Sequence, residues 1–181
     1  IKNMVCPRCI AAVSGVLNDI GARATQVNLG EVTLAENLSD EQKTELNSNL
    51  LELGFELPDD TRKQQIEKIK SIIIQNIHYS DAVKHNFLEI LADELHKEYS
   101  QLSKLFSSTE GITIEQYIIQ QKIEKVKELL AYNEMSLSEI AFKLGYSSVA
   151  HLSAQFKKVT GLTPSQFKSQ GIRLRKPLNE I

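Results

Sequence analysis

Cysteine is scarce in this chain: two in 181 residues, at positions 6 and 9. Two cysteines cannot staple a fold together, which excludes a disulfide framework and fits a reducing cytoplasm. Long apolar runs are missing as well. The greasiest stretches, such as "SIIIQNI" (71–77), are cut by polar residues well short of the ~18 apolar positions a membrane span needs. No basic segment followed by an apolar run stands at the front, so no signal peptide is expected. The chain also opens on Ile1 rather than Met, as one short of its first residues would. No nucleophile–base pair, paired carboxylates at a helix terminus or glycine-rich phosphate loop stands out, which points to a binding protein rather than an enzyme.

What is present is an ordinary globular composition, 41% apolar and 24% charged, long enough for one large domain or two small ones. The net charge of −2 conceals an asymmetry. Residues 1–60 hold four Lys/Arg against ten Asp/Glu, and residues 61–181 hold seventeen against thirteen. An acidic head joined to a basic body suggests two domains, with any polyanion bound by the second.

In the head, "CIAAVSGVLNDIG" sets Ile10, Val13, Leu17 and Ile20 on one helical stripe that stops at Gly21. "TQVNLGEVTLAE" alternates about a Gly30 turn, which predicts a hairpin with one buried face. Ser39 and Gln42 form a capping-box pair at the start of a second helix, lined inside by Leu46, Leu50 and Leu53 and ended by Gly54. With "IKNMV" as a first strand and "FELP" as a last, the order is βαββαβ, a ferredoxin-like α+β domain over 1–58.

"MVCPRC" (4–9) at the first strand-to-helix junction, with "LGFEL" (53–57) near the end, resembles the heavy-metal-associated domain of copper chaperones and pumps. The resemblance implies that Cys6 and Cys9 bind a soft ion, usually Cu(I), and that Met4 packs inside. The chemistry points the same way. Cys9 is expected at a helix N-terminus beside Arg8, where thiolate is favoured. Two thiolates suit Cu(I), Ag(I) or Hg(II), whereas Zn(II) needs two more ligands from elsewhere or from a second copy. The sequence departs from the family pattern at Asn3 and Val5, where Gly and Thr or Ser are common, and Pro7 stiffens the loop. A dithiol/disulfide pair is the alternative role for the two cysteines.

Past a short linker (59–62) everything reads helical. Ile66, Ile69, Ile73 and Ile77 form a core stripe. "NFLEILADEL", a turn at His96–Lys97 and "EYSQLSKLFSSTEG" make a helix-turn-helix pattern that returns after a long helix as "SLSEIAFKLGYSSVAHLSAQFKKVTG". "SQLSKLFSSTEG" and "AHLSAQFKKVTG" align at an interval of about fifty residues, and Thr113/Gln116 and Ser136/Glu139 are capping pairs. Two such units joined by one helix, followed by "GLTPSQFK" (161–168), resemble the all-α DNA-binding domain of AraC/XylS regulators over 63–170.

Helix geometry turns Tyr99, Leu102, Phe106, Val149, Leu152 and Phe156 inward. Ser100, Gln101, Ser103, Lys104 and Ser107 then face outward in the first unit, and Ser147, Ala150, His151, Ala154 and Lys157 in the second, positions that match those the family inserts into the major groove. Lys104 is suited to guanine, Gln101 to adenine, and Ala150 or Ala154 to thymine methyls. Ala154 stands where the family often has Arg, so the second unit is expected to read sequence weakly and lean on phosphate contacts. Lys157 and Lys158 also read as a solvated face, and His78, His85 and His96 as ordinary surface histidines. "RLRK" (173–176), in a basic tail over 171–181, is a phosphate-hugging or free segment.

Together these readings describe a cytoplasmic, metal-responsive regulator whose head captures Cu(I) and whose body holds two adjacent major-groove segments. Metal capture would change how head lies on body, or bridge two heads in a homodimer; RNA polymerase is a further partner and no membrane is involved. The rivals are a DNA-binding regulator switched by a Cys6–Cys9 redox pair, and a metallochaperone whose helical part docks a protein.

Overall fold

The computed structural model of the chain describes residues 1–80, 86–170 and 177–181. Two compact units divide it, Ile1–Gln75 and Asn76–Ile181. The division falls beyond the linker expected at 59–62, because helix α3 (Thr61–His78) spends most of its length in the first unit.

The first unit also holds α1 (Pro7–Asp19), β1 (Ala24–Asn28), β2 (Glu31–Leu34) and α2 (Asp40–Glu52). Pro7 starts α1, its fixed φ suiting the first helical position where no N–H is needed. Val13, Val16 and Leu17 form the buried face of α1. The hairpin pairs Val27 with Val32 and Asn28 with Glu31, antiparallel. The Ser39/Gln42 capping box forms as expected at the head of α2, which buries Leu46 and Leu50. Leu53, expected inside, is 52% exposed: it is the C-cap residue, where the chain leaves the helix toward Gly54.

The sheet has two strands, which corrects the ferredoxin-like expectation. The expected outer strands, 1–5 and 55–58, meet only at one antiparallel bridge, Lys2 with Glu56. Asn3 interrupts the first of them, since at φ 70° it cannot continue an extended chain, and its amide donates to the Gly54 carbonyl at 2.9 Å. Pro58 follows closely on the second and has no N–H to give a ladder. Met4 is nonetheless buried, 2% exposed.

Helix α3 lies close to the hairpin. Lys68 pairs with Glu31 at 3.1 Å, and Ile66, Ile69 and Ile73 are buried. Gly30 makes the approach possible: its φ is 75°, and a Cβ there would stand 2.2 Å from the Ser71 hydroxyl. Gly30→Ala is therefore expected to cost about 1–3 kcal/mol in urea unfolding. Ser71→Ala in the same chain should recover part of that loss, because it removes the atom met first.

The second unit contains α4 (Phe87–Leu95), α5 (Tyr99–Glu110), α6 (Ile114–Tyr132), α7 (Leu137–Lys143), α8 (Val149–Thr160), α9 (Pro164–Gln170) and a 3-10 turn at Leu178–Glu180. Helix α6 is its axle, burying Ile114, Tyr117, Ile123, Val126 and Leu130 together with Gln121, Glu124 and Lys127. The buried polar groups are paired. Lys127 bonds Glu124, and Gln121 donates to the Tyr117 hydroxyl at 3.0 Å while its carbonyl lies 3.0 Å from His78 Nε2. His78 is thus a buried residue, 8% exposed, and not the surface histidine expected. His96 is exposed and caps α4 with a left-handed φ of 50°. His85 and the RLRK segment lie outside the described residues.

The fifty-residue repeat is structural. Helix α5 ends at Gly111 (φ 73°) and α8 at Gly161 (φ 79°). Thr113 and Gln116 exchange capping bonds at the start of α6, and Thr163 and Gln166 do the same at the start of α9. Phe106 packs its ring 5.6 Å from that of Tyr117, and Phe156 stands 5.5 Å from Phe167. Every one of these pairs recurs at the same offset.

Candidate functional site

Each of α5 and α8 buries one stripe and presents the opposite one. In α5 the buried stripe is Leu102 and Phe106, both essentially inaccessible, flanked by half-buried Tyr99. The Tyr99 hydroxyl donates to Glu115 Oε1 at 2.6 Å, tying the first turn of α5 to α6. Burial, helped by this carboxylate, pushes the phenol well above its usual range, and the same hydrogen bond holds Glu115 below the usual carboxylate range.

Ser100, Gln101 and Lys104 are exposed, as expected, while Ser103 and Ser107 are half-buried at the flank. The Ser107 hydroxyl donates to the carbonyls of Ser103 (2.9 Å) and Lys104 (3.2 Å), so it is engaged with its own helix. Ser108, four residues beyond Lys104, is exposed as well, and its hydroxyl donates to the Leu105 carbonyl at 2.9 Å, so it too is engaged with its own helix.

In α8, Leu152 and Phe156 are buried and belong to a core with Ile123, Val126, Ile140 and Phe167. Ser147, Ala150, His151, Ala154 and Lys157 are all exposed, and Lys158 joins them. Ser148 caps the helix, its hydroxyl accepting from the His151 N–H at 3.1 Å. Both units close their first helix alike: the Lys97 N–H donates to Ala92 (3.2 Å), and the Tyr146 N–H donates to Ala141 (2.9 Å). At the fifty-residue offset, Ser100, Gln101, Lys104 and Ser107 stand where Ala150, His151, Ala154 and Lys157 stand in the second unit. The first unit therefore carries its cation in mid-helix, and the second carries two in its last turn.

The sequence matches the family described as a helix-turn-helix domain over residues 91–170. The C-terminal domain of AraT, a response regulator from Geobacillus stearothermophilus, is 25% identical with a TM-score of 0.52, over 65% of this chain and 94% of that one. A transcriptional regulator from Chromobacterium violaceum, of the AraC-type DNA-binding domain-containing proteins, shares the fold at 20% identity and a TM-score of 0.52, over 62% of this chain and 96% of that one. Among curated relatives, the probable transcriptional regulator LumQ of Photobacterium leiognathi is 26% identical over 59% of this chain and 43% of its own length. Residues 91–170 form a helix-turn-helix domain of the AraC type.

The AraC-type domain is a DNA-binding module and not an enzyme. It accounts for α5, α8 and the repeat, and says nothing of residues 1–58. The chain spans less than half the length of the curated relatives it matches.

A second candidate site lies in the first unit, outside the AraC-type domain. Cys6 is the N-cap residue of α1, and Cys9 sits in the first turn with its N–H on the Cys6 carbonyl at 2.9 Å. Both thiols are free and half-buried, with their sulfurs 3.2 Å apart. Among the described residues, no group of three or more His, Cys, Asp or Glu side chains is placed to hold a metal. Two sulfur donors alone suit a soft ion with few ligands, and leave a tetrahedral zinc site incomplete.

The favoured thiolate is Cys6 rather than Cys9. Desolvation works to raise the Cys6 pKa, but hydrogen bonds from the Cys9 thiol and from the amides of Cys9 and Arg8, with the Arg8 charge, outweigh it and lower the value. Desolvation raises the Cys9 pKa, and the neighbouring Cys6 adds to the rise. Cys6 stands at the cap where the amides converge; Cys9 is already inside the helix. Iodoacetamide at neutral pH should modify Cys6 well ahead of Cys9. As pH falls, labelling of Cys6 should persist below the pH at which labelling of Cys9 ceases, read by peptide mass spectrometry of the reduced protein.

Proposed function

We propose that this chain is a transcription regulator that sets α5 and α8 into two adjacent segments of the major groove, about one helical turn (~34 Å) apart, and that responds to a soft metal ion held by Cys6 and Cys9. The observation that carries the DNA part is the structural repeat: two helices, each ended by glycine and backed by a ring pair, with outward faces at matching positions. The net positive balance of residues 61–181 favours a polyanion.

Within this reading Lys104 donates to guanine N7 or O6, Gln101 pairs with adenine, and Ser100 flanks them. Ala150 and Ala154 meet thymine methyls, while Lys157 and Lys158 neutralise phosphates. Cu(I) is the ion that two thiolates suit best, with Ag(I) and Hg(II) as chemical equivalents; Zn(II) would need the thiols of a second copy, which makes a metal-bridged homodimer its natural product. The free thiols suit a reducing cytoplasm, and RNA polymerase is the further partner such a regulator would address. The short approach of the two sulfurs favours one rival, a dithiol/disulfide pair in the same regulator. The metallochaperone reading is weaker, since residues 91–170 are a DNA-binding domain.

The test is affinity for a duplex selected from a random library, measured with and without Cu(I) under strictly reducing conditions. Wild type should bind, Cu(I) should change the affinity, and Cys6→Ser should abolish the change. Lys104→Ala should lose about 1–3 kcal/mol and relax preference at one base pair, whereas Lys157→Ala should weaken all sequences and reduce the salt slope by about 1. An affinity indifferent to the ion removes metal sensing; a change that follows thiol oxidation instead establishes the redox rival.

A further inference from the structure

Tyr146 occupies the turn between α7 and α8, and its ring is engaged by groups from two helices. Lys122 of α6 places its ammonium 5.5 Å from the ring centroid and donates to the Leu144 carbonyl at 2.8 Å. The Tyr146 hydroxyl donates to Gln155 Oε1 at 2.7 Å, and burial pushes the phenol up to about 12, so it stays a donor at neutral pH. The imidazole of His151 packs edge-on to the same ring, with centroids 5.4 Å apart and planes at 83°.

A second tether holds His151. Its Nδ1 lies 3.1 Å from the Ser147 hydroxyl, in addition to the backbone bond to Ser148. An imidazole fixed at its edge and at Nδ1 has one ring nitrogen left for a ligand, Nε2, on an exposed side chain. In the tautomer whose Nδ1 accepts from the Ser147 hydroxyl, Nε2 carries the proton and is a donor. The first unit has no such device: Lys97 stands in the place of Tyr146 and Gln101 in that of His151.

We propose that Tyr146, braced by Lys122, is the positioning residue of the second reader, and that it aims His151 Nε2 as a hydrogen-bond donor at an acceptor on the duplex, a purine N7 or a phosphate oxygen. The inference rests on the DNA-binding reading above and adds to it. It gives α8 a directional contact where Ala150 and Ala154 supply only apolar surface. Preorganising a short side chain in this way lowers the ordering cost of the contact, which a long flexible lysine does not do.

The experiment uses the full chain and a high-affinity duplex selected for it. His151→Ala and Tyr146→Leu should each lose about tenfold in affinity, and the double variant should be no worse than either, because both remove one contact. Tyr146→Phe keeps the ring and should stay within about threefold of wild type. Replacing purines one at a time by 7-deaza analogues should weaken wild type at a single position in the α8 half-site, and Tyr146→Leu should be indifferent there. A phosphate acceptor would appear instead as one site of ethylation interference lost in the same variants. A merely structural Tyr146 would lower the melting temperature without erasing one position's sensitivity.

If Tyr146→Leu fails to fold, Ser147→Ala carries the test, with a loss of about threefold and a blunted response at the same position. Additive losses in the double variant, or a His151→Ala chain that binds as wild type does, overturn the inference while leaving DNA binding intact. A wild type that binds no duplex overturns the DNA-binding reading, and this inference with it.

Discussion

Ring against ring, once per fifty residues, is the contact on which the AraC-type domain depends. Phe106 on Tyr117 and Phe156 on Phe167 each pin the inner stripe of an outward-reading helix to the first turn of the helix that follows. Such a pair contributes about 0.5–1.5 kcal/mol beyond its burial, but its geometric effect matters more here. A glycine at positive φ reverses the chain, a threonine–glutamine capping pair starts the next helix, and the second ring returns to meet the first. With the inner stripe fixed, the outer stripe has no freedom in where it points. The faces of α5 and α8 follow from four aromatic rings and two glycines.

Much of this could be read in the sequence because it is local. Capping boxes at Ser39, Thr113 and Ser136 are spelled within four residues, and all three form. The inward set of Leu102, Phe106, Leu152 and Phe156 follows from helical spacing alone, and burial agrees. The exposed positions of α5 and α8 follow from the same spacing, with Ser107 turned aside by hydrogen bonds to its own helix. Properties that depend on distant partners were harder to read. His78 looked like a polar residue at a helix end, yet it is buried because Gln121, far along the chain, supplies a partner. Asn3 looked like a strand residue, and its left-handed backbone with a bond to Gly54 reduces the expected outer strands to one bridge. Cys9 falls in the first turn of α1, as its spacing from Pro7 implied, while the N-cap itself falls on Cys6.

The two units have diverged along a chemical line. The first puts a flexible cation, Lys104, in mid-helix beside amide and hydroxyl groups, a set able to read several bases. The second has alanine at that place, moves its cations to the last turn, and invests in a histidine held by tyrosine and serine. The first unit of the chain, with its thiol pair and two-stranded hairpin, has chemistry of a different kind.

The central claim is that both outward-facing helices enter the major groove of one duplex. Methylation interference and hydroxyl-radical footprinting of the full chain on its selected duplex test it most directly. The account predicts two protected major-groove windows on the same face of the DNA, centred about one helical turn apart, with the stronger purine dependence in the window of α5. A single window, or protection confined to the minor groove, would contradict it.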